Sequence, residues 1–236
     1  MEKFFGSRRV TPDDSEHWMS ISDLMSGLMI VFLFVSIAMM HFVRVERDRI
    51  KEIAMAYRET QVSIYNDLQV EFAADLQDWG AEIDRETLEV RFLNPDVLFI
   101  SGRADLRRPF KDVLNTFFPR YLSVISRYQG KIDEIRIEGH TSSDWAPGTP
   151  VETAYFLNMA LSQSRTREVL QYVHSLARSD VEREWIRGKI GAVGFSSARP
   201  VQDADGVEDP QRSRRVSFRV ISDSATQIKR IINDRP

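Results

Sequence analysis

The chain's 236 residues carry 32 basic and 35 acidic side chains, a net charge of -3, and no long basic block, so no direct nucleic-acid partner is expected. Cysteine is absent, which excludes disulfides, thiol nucleophiles and cysteine metal sites, and His17, His41, His140 and His174 lack metal-ligand spacing. Without a nucleophile motif, a zinc set or an acid pair, neither enzymatic activity nor a cofactor is expected.

Residues 1–18 are short and polar, with Pro12 and an acidic cluster, and read as a tail. Residues 19–43, MSISDLMSGLMIVFLFVSIAMMHFV, carry no charge between Leu24 and Met40. About 20 helical residues at roughly 1.5 Å each cover a hydrocarbon core of about 30 Å, so this stretch predicts one transmembrane helix. It is longer than a signal-peptide apolar region, and Asp13, Asp14, Glu16 and Asp23 stand where a basic leader would be. Basic residues flank both ends, Lys3, Arg8 and Arg9 before and Arg44, Arg47, Arg49 and Lys51 after, so charge alone leaves the orientation undecided.

A carboxylate at the mouth of such a helix is costly to bury and is tolerated where it faces protein or a water-filled path. Asp23 is therefore a candidate carrier of a translocated H⁺ or Na⁺; the alternative is a simple N-cap. Ser22, Ser26 and Gly27 lie within one turn of it, small residues that let a partner helix approach closely and complete a path.

Residues 44–79 contain neither Gly nor Pro until their end and place Ile50, Ile53, Tyr57, Ile64, Leu68 and Leu76 mostly three or four apart. That stripe predicts a long helical linker packed on a partner or a second copy; packing on the chain's own domain is the alternative. Residues 80–222 form the folded domain. Leu88, Val90 and Phe92 alternate in a strand stopped by Asn94-Pro95, and Arg107 to Tyr128 reads as a helix bent or interrupted near Pro119. Ile132, Ile135 and Ile137 mark a strand ending at Gly139, followed by an exposed loop, TSSDWAPGTPV, and a helix from about Glu152 to Ala177. Further strands are expected at Lys189 to Val193 and Arg214 to Ile221, separated by the polar stretch Ser196 to Ser213. Residues 223–236 read as a tail whose 225–232 stretch has room for a short helix. The class is α+β: a mixed sheet with helices packed on it.

Asn158, Leu161 and Arg165 share one face of the second domain helix, which follows the loop carrying Thr141, Ser142 and Asp144. Arg offers a planar fork for a carboxylate, and a loop acid can pair with an ammonium, a combination suited to a zwitterionic group. The bland reading is an Arg165 that packs and pairs within the domain.

Five ordered blocks, VLFISGRADL (97–106), IEGHT (137–141), NMALSQSRTREV (158–169), GAVGFSSARP (191–200) and RSRRV (212–216), resemble OmpA-like peptidoglycan-binding domains over roughly Leu88 to Val220. Trp18, then Asp23 at the start of one span, then such a domain, resembles MotB-like stator subunits, including those of anti-phage defence systems. The resemblance implies a single-pass inner-membrane protein with a cytoplasmic N-terminus, a periplasmic domain bound to peptidoglycan, and a MotA-like multi-span partner, a pentamer around a dimer of this chain. It also implies that Thr141, Asn158, Leu161 and Arg165 belong to the peptidoglycan site. The family's acidic position holds Ser142, which leaves Ser142 or Asp144 for that role. A passive peptidoglycan tether and a flagellar-type stator are the competing functions.

Overall fold

The structure, a computed structural model, describes residues 12–93 and 95–222; the predicted tails at 1–11 and 223–236, and Asn94, lie outside the described residues. The chain divides into two compact units that meet between Glu52 and Ile53.

In the first unit, the residues from Pro12 onward belong to helix α1 (Pro12–Phe72). The helix therefore begins earlier than the predicted span, and the 12–18 stretch read as tail is helical. Its large apolar side chains from Leu24 to Val43 are more than half exposed. This helix is long and apolar enough to cross a membrane.

The second unit begins with the rest of α1, and here the linker reading is corrected. Thr60, Ile64, Leu68 and Phe72 recur every four residues on one face, and all four are buried within the domain. Ile64, Leu68 and Phe72 belong to its hydrophobic core. Arg120 fixes the end of the helix by ion pairs to Glu71 at 2.7 Å and Asp75 at 2.8 Å, and Tyr128 donates to Asp67 at 2.9 Å. The C-terminal part of the stripe, Ile64, Leu68 and Leu76, thus packs on the chain's own domain, whose core takes in α1 from Ile64 onward.

Five strands follow: β1 (Ala81–Asp84), β2 (Glu89–Phe92), β3 (Ile132–His140), β4 (Ile190–Gly194) and β5 (Arg215–Ser222). Their order in the sheet is β1-β2-β5-β3-β4, with β3 and β4 parallel and the other pairs antiparallel. The helices are α2 (Pro95–Leu98), α3 (Arg108–Ser126), α4 (Val151–Ser175), α5 (Asp180–Lys189) and α6 (Pro210–Ser213). A parallel β3–β4 pair needs a crossover, which α4 and α5 supply. The fold is the expected mixed sheet with helices.

Val90, Phe92, Ile135, Ile137, Val216, Phe218 and Val220 supply the core face of the sheet by period-two alternation. Phe117 of α3 sits at the centre, with ring centroids 5.1 Å from Phe92, 5.2 Å from Phe218 and 5.2 Å from Phe72. α3 runs through Pro119 without interruption, which removes one of the two expected alternatives, a break in the helix there. A proline inside a helix costs about 3 kcal/mol, and the burial of Phe117, Phe118 and Tyr121 on either side of it offsets that loss. β1 and α5 are elements that the hydrophobic pattern did not announce.

The opposite sheet face is charged, and part of it is buried. Glu138 is fully buried, 3.3 Å from Arg199 and 3.8 Å from Arg219. Arg91 pairs with Glu89 at 2.7 Å and Asp84 at 2.9 Å.

Candidate functional site

Two glycines position the site. Gly139 at the end of β3 is paired in register with Gly194 at the end of β4. A Cβ on Gly139 would stand 2.7 Å from Thr166 Cγ2 and 2.9 Å from the Ser162 carbonyl oxygen. One on Gly194 would stand 2.5 Å from the Gln163 nitrogen. Glycine at both places lets α4 cross close over the strand ends. The Ser162 hydroxyl locks the crossing, accepting from the Ser196 amide at 3.1 Å and donating to the Met159 carbonyl at 3.0 Å.

That crossing brings most of the predicted residues to one corner of the domain. Asn158 is buried, and its side-chain amide donates to the Ser142 and Asp144 carbonyls, each at 3.1 Å. Both of its donated bonds thus hold the loop, which makes Asn158 a positioning residue for the loop backbone. Thr141 is buried; its amide donates to Ser196 at 3.0 Å, and its hydroxyl has no hydrogen-bond partner among the described residues. Ser142 is buried, whereas Asp144 is exposed. Leu161 is half-buried on the same helix.

Arg165 is 9% exposed, its Nε donates to the Arg103 carbonyl at 3.0 Å, and its guanidinium carbon lies 4.8 Å from the centre of the Phe99 ring. The backbone bond and the ring fix the plane of the fork. Leu98, Phe99, Gly139, His140, Ser162, Arg165, Arg215 and Val216 line a small cleft here. Phe99 and Arg103 fall inside the VLFISGRADL block, so the signal for the Arg165 platform was present as a motif without an assigned role.

His140, which lines the cleft, has its ring stacked on Phe195, centroids 5.3 Å apart, and its Nε2 3.6 Å from Glu138. Burial holds His140 below its ordinary pKa, opposed by Glu138 and assisted by the charge of Arg215. For Glu138, burial acts upward, but the His140 ring and the Arg219 and Arg199 charges outweigh it and hold the carboxyl below its usual range.

The residue that sequence reasoning missed is Glu208. Its carboxylate accepts from the Ser143 amide at 3.1 Å (Oε1) and 3.3 Å (Oε2), and also from the Ser143 hydroxyl. It therefore grips the loop between the two carbonyls that Asn158 holds.

Asp23 lies in the first unit, eleven residues after Pro12 and inside α1, so it is not an N-cap. It is exposed, and the Ser26 hydroxyl donates to the Ser22 carbonyl at 2.8 Å along its own helix.

The chain matches no family model. It is 55% identical over 235 residues to the Zorya protein ZorB of Escherichia coli, covering 99% of this chain and 100% of the relative. The chain belongs to the ZorB family. Solved structures similar to this ZorB-family chain include a MotB-like protein from Desulfovibrio vulgaris, at 20% identity and a TM-score of 0.49, covering 72% of this chain and 94% of that one. The cell wall anchor of the type VI secretion system of Pseudomonas aeruginosa is 22% identical with a TM-score of 0.44, covering 66% of this chain and 97% of the other. The periplasmic domain of Helicobacter pylori MotB is 14% identical with a TM-score of 0.43, covering 66% and 92%.

Proposed function

We propose that this chain is the peptidoglycan-anchored, MotB-like subunit of an ion-driven inner-membrane machine serving Zorya anti-phage defence. The observation that carries the proposal is the union in one chain of a long helix whose uncharged apolar run, Leu24 to Met40, is immediately preceded by a carboxylate, Asp23, with a domain whose α4 and loops hold an oriented Arg165. Membership of the ZorB family supports the defence context.

In this reading the N-terminus is cytoplasmic and the domain periplasmic. Asp23 takes up and releases H⁺ or Na⁺ in a path completed by a MotA-like multi-span partner, five copies of which surround two copies of this chain. Each charge crossing the membrane gains about 2.3 kcal/mol per 100 mV, enough to bias a conformational step. Arg165 receives a carboxylate of the peptidoglycan stem peptide, so the domain holds its helix fixed while the partner moves.

The test is made in cells carrying the complete system. Asp23→Asn, at normal expression and with peptidoglycan binding intact, is expected to lose protection against phage at least about tenfold. Full protection by that variant would leave the helix as a passive tether. Wall binding is tested separately with the full-length detergent-solubilised protein: Arg165→Ala is expected to pull down far less with peptidoglycan than the unaltered chain.

A further inference from the structure

The uncharged run of α1 ends at a titratable side chain. Leu24 to Met40 carry no charge, and the next residue is His41. His41 follows Asp23 by 18 residues of continuous helix, which is five full turns at about 3.6 residues each, so the two project from the same line along α1. At about 1.5 Å per residue they stand about 27 Å apart, close to the thickness of a hydrocarbon core of about 30 Å. Two exposed ionisable groups thus bracket the apolar run on one face of the helix.

The charges beyond the run are sorted about the same line. Counting about 100° per residue, Asp48 and Glu52 fall within about 20° of it, whereas Arg44, Arg47, Arg49 and Lys51 fall about 60° or more to its sides and Glu46 falls behind. Asp48 meets Arg47 at 3.5 Å with both side chains more than half exposed, a contact that water and salt screen. The face leading out from His41 is therefore acidic with basic flanks, and an acidic approach raises the local concentration of cations at its inner end. Among the described residues the first unit contains no element besides α1, so the charges that face His41 are those of its own helix, Arg44 one turn on and Asp48 two turns on.

Between the two groups the same face carries Ser26 and Gly27 beside Asp23 and then Ile30, Phe34 and Ile37. Apolar side chains move no proton, so the middle of the path falls to the partner subunit or to water. The residue type at the outer end also discriminates between ions. Hard cations are held by oxygen, whereas an imidazole binds and releases protons in the physiological range.

We propose that His41 is the outer proton-loading group of the path that Asp23 completes, and that the translocated ion is H⁺. The inference rests on the ion-carrying reading of Asp23. In each cycle one imidazole nitrogen takes a proton from the outer water and the other gives one inward toward Asp23, so one proton enters, one leaves and the ring returns to neutral. Asp48 and Glu52 draw cations to the mouth without taking part in the transfer.

The experiment uses right-side-out membrane vesicles from cells carrying the complete system, with a potential imposed by potassium diffusion and proton entry read by an internal pH dye. For the unaltered chain, entry is expected to rise as the outer pH is lowered from about 8 to about 5, and to level off through the range where an imidazole titrates. His41→Gln keeps a polar side chain that does not titrate; it is expected to cut entry about tenfold at pH 7 and to remove the plateau. His41→Asp supplies a titratable group of lower pKa and is expected to recover entry, with the plateau moved to more acid pH. A histidine that merely seats the helix at the membrane surface would leave this pH profile in place. The variants are compared at matched abundance in the membrane and matched peptidoglycan pull-down.

His41→Gln vesicles that keep both the rate and the plateau overturn the assignment, as do a His41→Asp variant with an unmoved plateau and a system that passes Na⁺ in place of H⁺. If Asp23→Asn stops proton entry and His41→Gln leaves it unaltered, this inference fails and the ion-carrying reading stands. If Asp23→Asn leaves ion entry unchanged, or the unaltered system passes no ion, both fail.

Discussion

Phe72, the last residue of α1, packs its ring 5.2 Å from that of Phe117 at the middle of α3, and both side chains are fully buried. The helix that leaves the apolar segment therefore ends as part of the domain core. Phe72→Ala removes a large buried ring and leaves a cavity between α1, α3 and the sheet, so a loss of about 3–5 kcal/mol is expected in denaturant unfolding. A loss below about 1 kcal/mol would mean that the contact is peripheral.

The same contact predicts where the domain can be cut. A fragment beginning at residue 53 keeps Ile64, Leu68 and Phe72 and is expected to unfold cooperatively. One beginning at residue 80 exposes the apolar surface they cover and is expected to aggregate or bind a hydrophobic dye. Equal cooperativity of the two fragments, read by thermal unfolding, would contradict the assignment of α1 to the core.

Gly139 carries the approach of α4 to the sheet. Gly139→Ala sets a methyl 2.7 Å from Thr166 Cγ2 and 2.9 Å from the Ser162 carbonyl, so α4 must move and take Asn158 and Arg165 with it. Overpacking of this kind costs about 1–3 kcal/mol. Peptidoglycan pull-down by the full chain is expected to fall with it. Adding Thr166→Ser removes the closer of the two clashes and is expected to recover part of both losses; no recovery would place the effect elsewhere.

The parts of this molecule that follow from periodicity were legible in the sequence. Val216, Phe218 and Val220 alternate cleanly, and the helix expected from about Glu152 to Ala177 is α4, Val151–Ser175. β1 was not legible because Ala81-Glu82-Ile83-Asp84 is a short edge strand with two acids and one large apolar residue. α5 escaped for a similar reason: Ile186 is its one buried residue, although Ser179 caps it by accepting from the Glu182 amide. In the site, Asn158 and Arg165 stand in recognisable motifs, but which atoms Asn158 would spend on the loop depends on a tertiary approach. Glu208 sits in a polar run of ordinary turn residues, and nothing local distinguishes it from Asp203 or Asp205. Its position is set by Ser143, a contact across 65 residues.

Tyr121 is fully buried, and its hydroxyl has no hydrogen-bond partner among the described residues. Burial pushes its pKa far upward, as expected of a phenol sealed in an apolar core. The ring packs 5.0 Å from Phe117 and 5.8 Å from Phe218, so the aromatic contact accounts for the residue and the hydroxyl is a cost. Tyr121→Phe keeps the ring and removes the unsatisfied group. It is expected to raise stability by about 1 kcal/mol, measured by urea unfolding. A clear loss of stability would mean that the hydroxyl has a partner in solution, such as an ordered water.

The buried charges beneath the cleft make the domain sensitive to acid, and the sign follows from the direction of each shift. His140 has an ordinary pKa of 6.5 and a lower one when folded, chiefly through burial. Below about pH 6.5 the unfolded chain takes up a proton that the folded chain refuses, so stability falls as pH falls toward the folded pKa. Glu138, held below its ordinary 4.5, and Asp84, held below 3.8, act in the same direction at lower pH, where the unfolded chain again binds more protons. In the window from about pH 6.5 down to 5, His140 is therefore the group among these three whose titration sets the slope, at most about 1.4 kcal/mol per pH unit. His140→Gln removes the titration while keeping a polar side chain beside Glu138, Arg215 and Phe195. Unfolding of the full chain at pH 7.5, 6 and 5 is expected to show a declining stability that the variant flattens in this window, and an unchanged slope in the variant would assign the acid sensitivity to other groups.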